Sequence, residues 1–260
     1  MASSPTMDDT LLSSGFRLSA HLASPAGPGP GPGLVLCHGF PVRGREAPAS
    51  GKSFPELADR IAVEMGWTVL TINFRGCGRS EGDFSMSGWL DDIHAAVNHL
   101  VELGVSGVWL AGYGSGGALC IVEGARNNRV LGVAASAAPA DFHDWADKPR
   151  RLVEHSRQVG VIKTAGFPRN FDAWAADFRQ ITAVSGAAEL APRPLLVMHG
   201  EADDLVPSLD ARVIADAHGT AELRIIGGGG HELRHDPRAV AVLLGWLSRQ
   251  HNAAVAAGGS

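Results

Sequence analysis

Cysteine is scarce in this sequence, and its placement excludes the usual cysteine-based scaffolds. The chain has three cysteines, Cys37, Cys77 and Cys120, which are widely spaced and form no CxxC pair. An odd set at such spacing argues against a disulfide framework or a zinc knuckle. His231 and His235 lie one helical turn apart, but no acidic or cysteine partner accompanies them at a metal-ligand spacing. We therefore expect free thiols, no metal and no other cofactor.

Long apolar runs and an excess of basic charge are missing as well. The sequence has no run of about eighteen apolar residues, which a membrane-spanning helix would need. Its formal net charge is -5, and no basic stripe marks a surface for nucleic acid. Residues 1–16 lack the basic segment and apolar stretch of a secretory signal. We expect a cytoplasmic protein with a small-molecule substrate and no membrane or nucleic-acid partner; the oligomeric state stays open.

Short apolar runs recur along the chain and predict the strands of a β-sheet. Most of them are apolar throughout rather than alternating, which is typical of parallel strands covered on both faces. Helical patterns lie between them, so strands and helices alternate. We predict one α/β domain over residues 1–260, with a mostly parallel sheet and helices on both faces. The predicted strands cover residues 33–39, 67–74, 107–112, 130–136, 194–200 and 222–226.

The ends of two helices are marked by local signals. Ser53 and Glu56 have the spacing of a capping box, and Gly66 marks the end of the same helix. Asp236 as N-cap and Pro237 at the first helical position predict the start of the last helix. The apolar stripes of the helical patterns consist of Phe54, Leu57, Ile61 and Met65, of Leu90, Ile93, Val97, Leu100 and Val101, and of Val240, Leu243, Leu244 and Leu247.

Two stretches interrupt the alternation of strands and helices. Residues 24–33, rich in proline and glycine, predict a surface loop before the first buried strand. Residues 139–190 are too long for an ordinary strand connection and predict a helical cap. The aromatic residues of this cap either form an apolar wall over a pocket or pack the cap onto the body. They are Phe142, Trp145, Phe167, Phe171, Trp174 and Phe178.

Residues that could take part in catalysis or ligand binding follow the strands directly. In an open α/β sheet, ligands bind at the carboxyl ends of the strands. Four such positions carry the sequences "HGFP" at 38–41, "GYGSGG" at 112–117, "HGEADDLVP" at 199–207 and "GGGGH" at 227–231. We expect these four segments to meet around one site.

Their order along the chain resembles that of the α/β-hydrolase family, in which the nucleophile region is followed by the acid and then by the histidine. The likeness covers about residues 15–250 and includes "FRGCGRSEG" at 74–82, which is similar to the loop after the family's next strand. It implies that His231 is the catalytic base and that Asp203 orients it and stabilises the imidazolium. Asp204, the neighbouring residue, is the alternative acid.

The resemblance also implies an oxyanion hole. Phe40 would donate its backbone N–H, and its side chain would line the pocket. The second N–H would come from the residue after the nucleophile, which makes Gly114 and Gly116 the substrate-binding residues at this turn.

The nucleophile itself fits the sequence "LAGYGSGGAL" at 110–119 in two registers. The turn needs small residues two positions before and two positions after the nucleophile. With Gly112 and Gly116 as that pair, residue 114 is the nucleophile position and is a glycine. With Ser115 as nucleophile, Tyr113 is bulky where a small residue is expected. The first register fits the flanking residues "LAG" and "GGAL" better, so the sequence departs from the family pattern at the nucleophile position, and Ser115 as nucleophile stays the alternative.

Three functions follow from these alternatives. The first is a hydrolase of a small carboxylic ester, thioester or amide, in which Ser115 attacks and His231 and Asp203 complete the catalytic triad. The second is an enzyme without a covalent step, in which His231 and Asp203 act as a general base. The third is a catalytically inactive ligand-binding member of the fold. The substrate itself is not predicted.

Overall fold

The computed structural model describes residues 6–26, 29, 31–41 and 53–258. The strands are β1 Thr6–Ser13, β2 Phe16–Ala23, β3 Gly33–Cys37, β4 Thr68–Ile72, β5 Val108–Tyr113, β6 Val130–Ser136, β7 Leu195–Gly200 and β8 Glu222–Ile226. The helices are α1 Phe54–Met65, α2 Met86–Glu102, α3 Ser115–Arg126, α4 His143–Asp147, α5 Pro149–Gln158, α6 Phe171–Gln180, α7 Ala183–Leu190, α8 Ser208–His218 and α9 Pro237–Gly258, with a short 3-10 turn at Leu233–His235.

The strands form one eight-stranded sheet in the order β1-β2-β4-β3-β5-β6-β7-β8. From β4 to β8 all neighbours in that order are parallel, which confirms the predicted α/β class. All six predicted strands are present. Strands β3 to β7 are almost wholly buried, as their continuous apolar sequences require.

An antiparallel hairpin of β1 and β2 at the edge of the sheet was not predicted. Strand β2 alternates between exposed and buried positions and carries Arg17, Ser19 and His21 among its apolar residues. A half-exposed strand of this kind lacks the continuous apolar run that identified the other strands. Of the predicted loop at 24–33, residues 24–26, 29, 31 and 32 belong to no helix or strand, whereas Gly33 begins β3.

Helix α1 has the predicted bounds but not the predicted cap. It ends before Gly66, whose φ of 71° is left-handed and favours glycine. The Ser53 hydroxyl accepts no hydrogen bond from the helix. It accepts one from Arg234 Nε at 2.8 Å instead. The capping-box prediction is therefore wrong, because the Ser53 hydroxyl bonds a tertiary partner. The predicted cap of α9 does form: Asp236 Oδ1 accepts the Arg238 N–H at 2.9 Å.

Residues 139–190 contain the four helices α4 to α7 between β6 and β7. We call this segment the cap. The loop between β4 and α2 holds the cap to the sheet. The Phe84 N–H donates to the Val161 carbonyl at 2.9 Å, and the Trp174 indole N–H donates to the Phe84 carbonyl at 3.0 Å. Asp83 Oδ1 accepts the Lys163 N–H at 2.6 Å. The cap thus has a fixed position over one end of the sheet.

The aromatic residues of the cap divide between the two predicted roles. Trp174 and Phe178 are buried and meet edge to face at 4.7 Å, so they pack the cap onto the body. Phe142 and Trp145 line a cavity, and the Trp145 ring lies 5.1 Å from that of Phe40. Both alternatives therefore hold, each for a different part of the cap.

Candidate active site

A cavity of about 530 Å³ lies at the carboxyl ends of the parallel strands, beneath the cap. Its floor is formed by the loops after β3, β5, β7 and β8, as expected from the four segments that follow these strands. Its lining combines apolar and polar residues. The apolar residues include Phe40, Pro139, Phe142, Trp145 and Leu152, and the polar ones include Tyr113, Asp141, Asp144, His155, Asp210, His231, Glu232 and Arg234.

The turn between β5 and α3 has Gly114 at its apex. Gly114 has φ 56° and ψ -132°, a conformation that L side chains rarely adopt. Around it the backbones are in close contact: a Cβ on Gly112 would lie 2.7 Å from Gly117 Cα, and a Cβ on Gly116 would overlap the His38 carbonyl. Gly112 and Gly116 are therefore the small pair that flanks the turn, and residue 114 lies between them.

Gly114 is also the residue of this turn that faces the histidine. A Cβ on Gly114 would lie 3.6 Å from His231 Nε2 and 3.9 Å from His231 Cε1. No contact closer than ordinary van der Waals distance would result. A side chain at position 114 would thus project toward the imidazole nitrogen that is not bound to Asp203.

The Ser115 side chain is directed elsewhere. It is buried, and its Oγ accepts the Phe40 backbone N–H at 2.7 Å. Within the described part of the chain, no hydrogen bond joins Ser115 to His231. Ser115 and Gly116 begin α3, where main-chain N–H groups have no acceptor inside the helix. Of the residues predicted for the oxyanion hole, Phe40 contacts the Ser115 hydroxyl through its N–H, and Gly114 and Gly116 are the chain neighbours of Ser115.

His231 and Asp203 form a close pair. His231 Nδ1 lies 2.9 Å from Asp203 Oδ2, with 17% of the imidazole side chain exposed and none of the carboxylate. Asp203 Oδ1 accepts the backbone N–H groups of Leu205 at 2.9 Å and Val206 at 3.0 Å. Asp204, the alternative acid, is exposed. Of the two aspartates, Asp203 is the one in contact with the histidine.

The surroundings of Asp203 favour its ionised form. Burial alone would raise the pKa of Asp203. Hydrogen bonds from the Val206 and Leu205 N–H groups and from His231 outweigh burial and hold that pKa below its usual value. A carboxylate that stays charged can fix the tautomer of the imidazole and stabilise it once protonated.

His38 orients the loop that carries Phe40. Its Nδ1 lies 2.8 Å from the Gly39 carbonyl, and its Nε2 accepts the Phe74 N–H at 3.2 Å. The Gly39 carbonyl and the Phe40 N–H belong to the same peptide group, so fixing one fixes the direction of the other. Burial lowers the pKa of His38 to about 4, and the charge of Arg234 acts in the same direction. His38 is therefore neutral.

Sequence reasoning missed two residues at this site. His199, at the end of β7, is fully buried and lies 3.1 Å from Asp203 Oδ2. Arg234 lines the cavity, and its guanidinium lies 5.5 Å from the centre of the Phe54 ring. Burial raises the pKa of the neighbouring Tyr113. The i, i+4 spacing of His199 and Asp203 after a buried strand was the available signal for the first. No local pattern marked Arg234.

The three cysteines are buried free thiols. Among the residues that the structure describes, no three His, Cys, Asp or Glu side chains come together as metal ligands. In the same part of the chain, no helix combines the length and the apolar character needed to cross a membrane.

The fold and the order of the site loops agree with the comparison with known families. The pattern that defines the alpha/beta hydrolase family matches residues 34–243, and the chain belongs to this family. A curated relative, the uncharacterized protein YfhR of Escherichia coli (strain K12), is 26% identical over 147 residues. That match covers 55% of this chain and 45% of YfhR, so the chain spans less than half the length of this relative.

Solved structures extend the likeness over the whole fold. Est1E from Butyrivibrio proteoclasticus, with ferulic acid bound, has a TM-score of 0.71 and 17% identity, covering 94% of this chain and 99% of its own. The alpha/beta hydrolase GrgF from Penicillium sp. sh18 has a TM-score of 0.70 and 21% identity, covering 95% and 98%. At these identities the likeness concerns the fold alone.

Proposed function

We propose that this protein is a hydrolase of small-molecule carboxylic esters, thioesters or amides in which His231 and Asp203 activate water without a covalent intermediate. The proposal depends on one observation: the point where a Cβ of residue 114 would lie is 3.6 Å from His231 Nε2. In the family, the nucleophile stands on this strand-to-helix turn. Here glycine leaves that space to a water molecule or to a substrate atom.

In this mechanism one proton moves to His231 and then to the leaving group. Water between Gly114 and His231 attacks the carbonyl carbon of the substrate while Nε2 takes its proton. A bond forms from the water oxygen to that carbon, and the carbonyl oxygen becomes an oxyanion. The bond to the leaving group then breaks, and His231 returns the proton to the leaving oxygen, sulfur or nitrogen. Asp203 stabilises the imidazolium between these steps.

Stabilisation of the oxyanion falls to the residues around the Ser115 hydroxyl. Because Ser115 Oγ accepts the Phe40 N–H at 2.7 Å, its own proton is available to a substrate oxygen. A hydroxyl that accepts one hydrogen bond donates a stronger one. The N–H groups of Ser115 and Gly116 at the start of α3 are the further donors. Ser115 is then a catalytic residue that donates a hydrogen bond instead of attacking.

The alternative is covalent attack by Ser115, with the same base. It requires the Ser115 hydroxyl to leave the Phe40 N–H and to reach His231 from the helix side of the turn. The hydrogen bond to Phe40 and the position of Gly114 both favour the water mechanism.

The cavity favours a substrate with an apolar acyl group. The large side chains of Phe40, Phe142, Trp145 and Leu152 supply apolar lining, with Asp141, Asp144 and His155 among them. Its volume, about 530 Å³, lies within the range for small-molecule sites, roughly 300–1,000 Å³. Est1E, which shares the fold, holds ferulic acid in its structure. We infer an aromatic or similarly sized apolar acyl group.

The test combines p-nitrophenyl esters of aromatic acids with a fluorophosphonate probe. The water mechanism predicts turnover without labelling in the native protein, and a fall in kcat of about 10²- to 10³-fold in Ser115→Ala, the cost of one oxyanion donor. Gly114→Ser should become labelled, because a hydroxyl then lies beside His231.

Labelling of the native protein that disappears in Ser115→Ala, together with a loss of kcat near 10⁶-fold, would establish covalent attack instead. Binding of the aromatic acids without turnover of any ester, unaffected by His231→Ala, would indicate an inactive ligand-binding member of the fold.

A further inference from the structure

Asp203 has a second histidine beside it that the mechanism above does not use. The side chain of His199 is fully buried at the end of β7. Its Nε2 lies 2.9 Å from the Val206 carbonyl oxygen and 3.1 Å from Asp203 Oδ2. His231 Nδ1 lies 2.9 Å from the same carboxylate oxygen. One oxygen of Asp203 is therefore shared by two imidazoles.

The partners of His199 define its protonation state. The Val206 carbonyl only accepts hydrogen bonds, so Nε2 carries a proton. His199 Nδ1 is buried and has no hydrogen-bond partner among the described residues. A second proton there would be a buried donor without an acceptor, which is costly. His199 therefore presents its Nε2 N–H to the Asp203 loop, while its Nδ1 contributes no contact among the described residues.

That N–H closes a ring of contacts around the carboxylate. Asp203 Oδ1 accepts the Val206 N–H at 3.0 Å, and the carbonyl of Val206 accepts the His199 N–H. His199 Nε2 in turn lies against Asp203 Oδ2. Rotation of the carboxylate would break contacts at both of its oxygens. The ring thus fixes the plane in which Oδ2 meets His231.

We propose that His199 is a positioning residue that holds the Asp203 carboxylate in the orientation that His231 requires. Its importance for turnover rests on the proposed role of His231 as the base, but its effect on the contact between Asp203 and His231 does not. An idle buried nitrogen is a cost that an apolar residue in this place would avoid. The gain from a fixed carboxylate explains why a histidine stands here.

His218 provides a matched control. It is also a buried histidine, and its Nε2 lies 2.9 Å from the Arg193 carbonyl oxygen, the same distance as in His199. Its other nitrogen lies 3.3 Å from the Thr220 hydroxyl. His218 therefore shares the burial and the carbonyl contact of His199 but belongs to the end of α8 rather than to the Asp203 loop.

The experiment compares His199→Leu, His199→Gln and His218→Leu in the full-length protein by proton and nitrogen NMR at one fixed pH. The measured signal is the His231 Nδ1 proton, whose chemical shift reports its hydrogen bond to Asp203. In His199→Leu this signal should move upfield and broaden through exchange with water. His199→Gln, whose amide can occupy the place of Nε2, should restore it, and His218→Leu should leave it unchanged.

Kinetics on the esters named above give the second measurement. His199→Leu should lower kcat by about 10- to 100-fold with KM nearly unchanged, since a misplaced base slows the chemical step. The NMR result needs no turnover, so a protein without esterase activity would refute the proposed function and leave this proposal testable.

An unchanged or lower-field His231 signal in folded His199→Leu would overturn the proposal, and so would an equal effect of His218→Leu. If His199→Leu does not fold, His199→Asn replaces it. The shorter amide of asparagine keeps a donor but does not reach Oδ2, so it should behave as the leucine variant does.

Discussion

Two loops meet at the candidate active site, and they differ in completeness. The loop after β7 places Asp203 Oδ2 2.9 Å from His231 Nδ1 and gives Asp203 Oδ1 two backbone N–H donors. The turn after β5 has the backbone geometry for a nucleophile, with φ 56° at its apex, but Gly114 supplies no side chain. The turn therefore has no side chain at the point that faces the Asp203–His231 pair.

The difference indicates that the proposed chemistry depends first on the loop that carries Asp203. A pocket that only binds a ligand needs no buried carboxylate oriented by backbone N–H groups toward an imidazole. Such a carboxylate stabilises an imidazolium, a species that forms only when the histidine accepts a proton. The next variants test each loop in turn, from the largest expected effect to the smallest.

The loop that carries the base is tested by His231→Ala. Without the imidazole no group takes the proton of the attacking water, so kcat/KM should fall by about 10³-fold or more. The measurement is ester hydrolysis under the conditions used for Ser115→Ala. His235→Ala removes an exposed histidine from the same segment and should leave kcat/KM within about twofold, since a surface substitution typically has a small effect. A comparable loss in both variants would contradict the assignment.

The turn is tested by alanine at two of its glycines. In Gly116→Ala the new Cβ would overlap the His38 carbonyl, a backbone atom that cannot move alone. We expect a loss of about 3 kcal/mol in the free energy of unfolding. Gly114→Ala meets no atom closer than 3.6 Å and carries only the strain of a side chain at φ 56° and ψ -132°, about 2 kcal/mol. Urea unfolding of both variants measures the difference, and equal losses would show that the apex is as crowded as its flank.

The loop that carries Phe40 is tested through His38. Because burial lowers the pKa of folded His38 to about 4 from 6.5, the unfolded chain binds a proton first as the pH falls. Its contribution is complete above pH 6.5 and is lost between pH 6.5 and 4, by about 3 kcal/mol in total. Asp236, with a pKa near 2, acts only at lower pH.

Urea unfolding from pH 7 to pH 4 measures this dependence. His38→Asn keeps a donor for the Gly39 carbonyl but has no group that titrates, so its unfolding free energy should vary less over the same range. An identical slope in the two proteins would refute the role of His38.

The smallest effect concerns binding rather than chemistry. Trp145 belongs to the cap and lines the cavity, and the centre of its ring lies 5.1 Å from that of Phe40. Trp145→Ala should raise KM for aromatic esters about tenfold, roughly 1.4 kcal/mol of lost contact, with kcat nearly unchanged. An alkyl ester of acetic acid, which does not reach the cap, should show no such change. A fall in kcat alone would place Trp145 in the chemistry instead.

Sequence reasoning recovered the parallel part of the fold because its strands are continuously apolar and its helices carry clear stripes. It missed the β1–β2 hairpin, whose strands carry polar residues on an exposed side. It also assigned Ser53 to a local cap, although Arg234, far along the chain, takes the hydroxyl. Local patterns cannot report a competing partner that only the tertiary structure brings close.

At the site, motif order was enough to pair Asp203 with His231. On sequence, the flanking residues fit the Gly114 register better than the Ser115 register, in which Tyr113 is bulky, but they leave both open. Backbone dihedral angles and the direction of the Ser115 hydroxyl bear on this choice, and neither is encoded in a short window. The same holds for His199, whose contact with Asp203 depends on the path of the loop after β7.

The crowding around the turn also limits how this protein can vary. Added atoms at Gly39 would press on the Tyr113 carbonyl, and added atoms at Gly112 or Gly116 would press on the neighbouring backbone, whereas Gly114 alone of these four has room. A glycine codon can become a serine codon by one base change. Evolution could therefore add or remove a nucleophilic hydroxyl at this apex in a single step, with every surrounding residue already in place.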